Sequence, residues 1–163
     1  WVRPWTSGDR AMSRTEFTDI LERLASTSDA GFALRERAMR ELDRLDGYDW
    51  SGIYLLEPSD HGPGELVLDA YVGAPTDHVR IPVGRGVCGT AVATGKDQVV
   101  DDVSALDNYL SCSVSTRSEI VVLIRKGPEV LGQIDVDSHQ KARFGPQDEA
   151  FLRDLAALLA DRW

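Results

Sequence analysis

Two pairs of short strand-like runs, each closed by a turn, constrain this chain more than anything else in it. Residues 50–56 and 65–72 are apolar and β-prone, with the polar segment 57–64 between them. Residues 119–125 and 129–137 flank Lys126-Gly127-Pro128 in the same way. Runs joined by so few residues pair antiparallel, because a parallel crossover needs a dozen residues or more. Helical periodicity brackets these hairpins. Phe17, Ile20, Leu21, Leu24 and Ala25 form one apolar stripe after Ser13-Arg14-Thr15-Glu16, which has the spacing of a capping box. A second helix is predicted over about 29–45, with Leu34, Ala38, Leu42 and Leu45 inward and Asp46-Gly47 as its stop. A last helix is predicted over 146–163, with Phe151, Leu152, Leu155, Leu158 and Leu159 on one side. Shorter pieces are a strand at 79–83, a helix at 87–93 and a strand at 98–100. Residues 101–117 have little periodicity and read as a long functional loop or broken helix. The expected fold class is α+β, a single domain with a central antiparallel sheet flanked by N- and C-terminal helices.

The chain has 163 residues, enough for one domain with a core that needs no staples. Residues 1–12 are expected to be a tag remnant or flexible arm, and 13–163 the domain. Eighteen basic against twenty-seven acidic residues give −9, which argues against a nucleic-acid partner and against an anionic membrane surface. No apolar run approaches the roughly 20 residues of a membrane span. The first eleven residues contain no apolar leader segment, so cytoplasm is the expected compartment. Two Cys and three His fit neither a disulfide scaffold nor a zinc motif, and no metal is expected.

The residues with chemical potential fall in four places. Gly84-Arg85-Gly86-Val87-Cys88-Gly89 spells G-x-G-x-x-G, yet it lies mid-chain with no βαβ unit around it, so a dinucleotide site is not expected. The glycines permit a tight turn into a helix, which sets Cys88 near a helix N-terminus, where a thiolate is favoured. Cys112 lies among hydroxyl residues, a poor setting for an inert core thiol. Asp135 and Asp137 alternate onto one face of a strand, and Glu119 opens the strand before it. That face is either a solvated polar side or a carboxylate cluster; in a cluster one acid would hold its proton and could donate it. Trp50 and Tyr54 share a strand face, as core packing or as the wall of an apolar pocket.

The runs IPVGRGVCGTA, SEIVV, IDVDS and RFGPQDEAFL, with Cys112 twenty-four residues after Cys88, resemble the free methionine-(R)-sulfoxide reductases, single-domain enzymes of the GAF fold. The resemblance covers about residues 14–162. It implies Cys112 as catalytic cysteine, Cys88 as resolving thiol, Glu119, Asp135 and Asp137 as substrate-holding carboxylates, and Trp50 and Tyr54 as an aromatic wall. Many members carry a third cysteine ten residues before the GVCG cysteine; here that position is His78. The implied reaction reduces free methionine sulfoxide through a sulfenic acid and a disulfide, with a thioredoxin-like reductant and no cofactor. A homodimer is compatible with the resemblance. Two other functions keep the same fold: a GAF sensor that binds a small ligand without turnover, and a redox switch built on the two thiols.

Overall fold

The first hairpin is longer than the sequence suggests. In the computed structural model, which describes residues 14–110 and 114–163, β1 (Trp50–Ser59) and β2 (Gly62–Val72) pair antiparallel until Ser59 stands opposite Gly62. Only Asp60 and His61 are left to turn. The polar residues expected to form a loop are instead an exposed ribbon: their polarity reports solvent, and the ladder continues because backbone groups gain partners by pairing. The second hairpin is β5 (Ser118–Lys126) with β6 (Glu129–Ser138). Two three-residue strands, β3 (Arg80–Pro82) and β4 (Gln98–Val100), close the edges. The order is β3-β2-β1-β6-β5-β4, and every neighbouring pair is antiparallel. The hairpins therefore join at the sheet centre, β1 against β6.

Three helices cover one face: α1 (Arg14–Ser26), α2 (Gly31–Leu42) and α4 (Pro146–Asp161). Phe17, Leu24, Leu34, Met39, Phe151 and Leu152 meet Ile53, Ile120, Val122, Ile134 and Val136 of the sheet in one core. Phe17 stacks on Phe151 at 4.3 Å between ring centroids. The expected inward stripes hold except that Ala25 is exposed. The capping box needs Ser13, which lies outside the described residues. The second helix ends at Leu42 rather than near Leu45, as Asp43 caps it onto Met39 O. Leu45 stays buried in the turns that follow, and these deliver the Tyr48 hydroxyl to Asp148 Oδ1 at 2.8 Å.

The opposite face is covered by α3 (Gly86–Thr94). Its Val87, Cys88 and Ala91 pack with Trp50, Tyr54, Val121, Leu123, Leu66 and Ile81. Strand alternation thus separates two interiors: odd positions of β5 and β6 face α3, and even positions face the three-helix layer. Between β4 and β5, the described part of the aperiodic segment has one 3-10 turn, Val103–Ala105, capped by Asp102. Among the described residues no helix is long and apolar enough to cross a membrane.

Candidate active site

Sheet register brings the singled-out residues into rows beneath α3. Trp50, Asp137 and Glu119 stand side by side on β1, β6 and β5. Gly52, Asp135 and Val121 form the next row, and Tyr54, Gln133 and Leu123 the one after. Asp135, Asp137 and Glu119 are 0%, 2% and 3% exposed. The solvated-face reading of these carboxylates is therefore excluded, and the cluster reading stands. Cys88 reaches down from the first turn of α3, its Sγ 3.8 Å from Glu119 Oε1. Thr116 donates to Asp137 Oδ2 at 3.4 Å. Among the described residues no donor reaches Glu119 Oε2 or Asp137 Oδ1.

Burial fixes the charge state of this cluster. It pushes the Glu119 carboxyl well above its ordinary 4.5, and the neighbouring Asp135 and Asp137 push it further. Asp137 is raised likewise, first by burial and then by Asp135. A lone buried carboxylate is costly, and three cannot all ionise in one apolar pocket. The cluster thus stores a proton and, among the described residues, shows acceptor oxygens with no donor.

The aromatic wall depends on a missing side chain. A Cβ on Gly52 would lie 2.3 Å from Trp50 Cη2, so the indole can lie across Gly52 only because that residue has none. Trp50 Nε1 donates to Ala74 O at 3.0 Å, and the ring stacks on Tyr71 at 5.9 Å. Tyr54 lies 6.5 Å from Trp50, centroid to centroid, and donates to His78 O at 2.8 Å. His78 thus enters this site through its backbone oxygen. Thr116 and Gly52 carried no signal strong enough in the sequence, although a glycine inside a strand run does mark a close approach.

The glycine turn is not a nucleotide cradle. It leads from edge strand β3, antiparallel to β2, into α3. Asn108 clamps it: the side chain accepts from Gly86 N at 3.2 Å and donates to Gly84 O at 3.2 Å. A Cβ on Gly89 would lie 2.7 Å from Pro82 O, so this turn packs against its own strand. A cavity of about 280 Å³ opens beside α3, lined by Val87, Thr90, Val100, Leu106 and Asn108 among others. Cys112, expected to be the second thiol of the site, lies outside the described residues. No zinc motif exists in the sequence, yet the fold gathers ligand atoms of Cys88, Glu119 and Asp135 within 4.8 Å of one another.

The GAF domain family model matches residues 33–163. The chain is 38% identical over 153 residues to the free methionine-R-sulfoxide reductase of Escherichia coli (strain K12), covering 91% of this chain and 89% of that one. Among solved structures, the free methionine-R-sulfoxide reductase from Neisseria meningitidis, in complex with its substrate, superposes with a TM-score of 0.82. It is 35% identical, over 99% of this chain and 94% of that one. The type II enzyme from Thermoplasma acidophilum gives 0.74 at 39% identity, over 88% and 94%. The chain belongs to the GAF domain family and, within it, to the free methionine-R-sulfoxide reductases.

Proposed function

We propose that the protein reduces free L-methionine (R)-S-oxide to L-methionine, with Cys112 as nucleophile and Cys88 as resolving thiol. The observation that carries this reading is the buried carboxylate cluster beside an aromatic wall, with two acceptor oxygens that no donor reaches among the described residues. A free amino acid supplies what is missing: its ammonium brings three N–H donors and a positive charge. A peptide-bound residue has no such charge and would leave the acids unpaired, which sets the specificity. Trp50 and Tyr54 wall the apolar end of the substrate.

The Cys112 thiolate attacks the sulfoxide sulfur. A carboxyl of the cluster gives its proton to the sulfoxide oxygen, which moves onto the Cys112 sulfur; the methionine S–O bond and the transient S–S bond break, and methionine leaves. The oxygen ends on Cys112 as a sulfenic acid. Cys88 condenses with it, forming a disulfide and releasing water. A thioredoxin-like dithiol returns two electrons and two protons by exchange.

The test is a thioredoxin assay coupled to NADPH, with racemic free methionine sulfoxide. Consumption stops near half of the substrate, Cys112→Ser makes no methionine even in one turnover, and Cys88→Ser makes one equivalent and stalls. Glu119→Gln and Asp135→Asn each lower kcat/KM by about 10–100-fold, the scale of a lost charged hydrogen bond. No consumption by the wild type, or methionine made by Cys112→Ser, overturns the proposal.

A further inference from the structure

The same pocket has the composition of a cation site. Cys88 comes from α3, Glu119 from β5 and Asp135 from β6, and their ligand atoms lie within 4.8 Å of one another. Bonds of about 2.3 Å to sulfur and 2.0–2.2 Å to oxygen set neighbouring ligands of a tetrahedral zinc ion roughly 3.3–3.6 Å apart. The Cys88 Sγ to Glu119 Oε1 separation, 3.8 Å, is already close to that edge. A second, independent observation points to a ligand: Glu119 Oε2 and Asp137 Oδ1 are buried acceptors that no donor reaches among the described residues. Glu119 is 3% exposed and Asp137 2%. Buried carboxyl oxygens beside a thiol are what a divalent ion needs, and the sulfur selects among ions. Magnesium and calcium take oxygen donors, whereas a thiolate favours zinc and its thiophilic neighbours.

We propose that the reduced protein binds one thiophilic divalent cation of the zinc class on Cys88, Glu119 and Asp135, and that the bound ion excludes the substrate. The exclusion rests on the substrate reading above, since ion and ammonium seek the same anionic centre. Binding forms one metal–sulfur and two metal–oxygen bonds and releases the thiol proton and the proton stored by the cluster to water, with no change of oxidation state. Three protein ligands leave a fourth position for water, so the ion exchanges rather than staples the fold. It also ties up the thiol needed for resolution, so metal excess silences the protein without oxidising it.

Cobalt(II) is the probe, titrated into reduced Cys112→Ser protein, where Cys88 is the single remaining thiol. One equivalent binds, giving a near-ultraviolet thiolate-to-cobalt band that zinc abolishes by displacement. Cys88→Ser in that background loses the band. Glu119→Gln keeps the thiol and raises the cobalt Kd at least ~10-fold, since even groups behind a metal ligand matter on that scale. Saturating free methionine, which keeps the ammonium, raises the apparent Kd. Absence of the band, or affinity unmoved by Glu119→Gln, overturns the cation site. Affinity unmoved by methionine overturns the exclusion. Turnover in the coupled assay without a cobalt band removes the cation and leaves the reductase; a cobalt band without turnover does the reverse.

Discussion

The smallest residue of the site sets its widest surface. Gly52 leaves room for the Trp50 ring, and a methyl there would lie 2.3 Å from the ring carbon Cη2. Gly52→Ala is expected to tilt the indole out of its place over the strand, raising KM for free methionine sulfoxide about tenfold or more. It should also lower stability by ~1–3 kcal/mol, the usual cost of overpacking. Steady-state kinetics with thermal melts check both, and a normal KM would show that the ring position is irrelevant. The shared face of Asp135 and Asp137, and that of Trp50 and Tyr54, were legible from a period of two. That the acids were buried was not, because burial depends on which sheet face α3 covers, and no local pattern encodes that. The approach of Cys88 to Glu119 was equally invisible: it arises from a helix laid over a strand thirty-one positions away.

Elements were legible in kind and less so in extent. Among the described residues, the four helices and both hairpins lie where periodicity and turn signals placed them, while β1 and β2 run through residues whose polarity suggested a loop. In the aperiodic segment after β4, one side chain caps the 3-10 turn. Asp102 accepts from Ser104 N at 3.0 Å and Ser104 Oγ at 2.6 Å, and pairs with Lys141 at 2.8 Å. Lys141 first, and then Ser104, hold its carboxyl at about 2, below the ordinary 3.8. A depressed acid stabilises above its unfolded value, and that support fades as pH falls through its folded value. The cap is therefore intact at pH 4 and lost toward pH 2. The Ser104 amide resonance should titrate with a midpoint near 2, and Asp102→Asn should abolish that transition. A midpoint near 3.8 would mean that the cap does not form.

At the scale of the molecule, the last residues fasten onto the first helices. Arg162 donates through Nη1 to Thr27 O at 2.7 Å and through Nη2 to Leu24 O at 3.0 Å, and its carbonyl accepts from Gly31 N at 2.7 Å. Beside it Trp163 lies under the Arg35 guanidinium, 4.6 Å from the ring centroid, and Arg35 is paired with Asp69 at 2.7 Å. Arg162→Ala should cost ~2–3 kcal/mol, the worth of charged hydrogen bonds to partly buried carbonyls, and lower Tm by about 4–12 °C. Because Arg162 lies on the helical face, kcat/KM at 25 °C should stay at the wild-type value; a fall there would reveal coupling across the sheet. The central pairing of β1 with β6 has a consequence for synthesis. A ribosome extends a chain at about 5–20 residues per second, so β1 emerges seconds before the strand that will cover its inner edge. During that wait a long strand with Ile53 and Tyr54 at its middle offers unpaired backbone to any passing chain. The seam that later seats the acids opposite the aromatic wall is, in the nascent protein, the edge that a holdase chaperone would have most reason to cover.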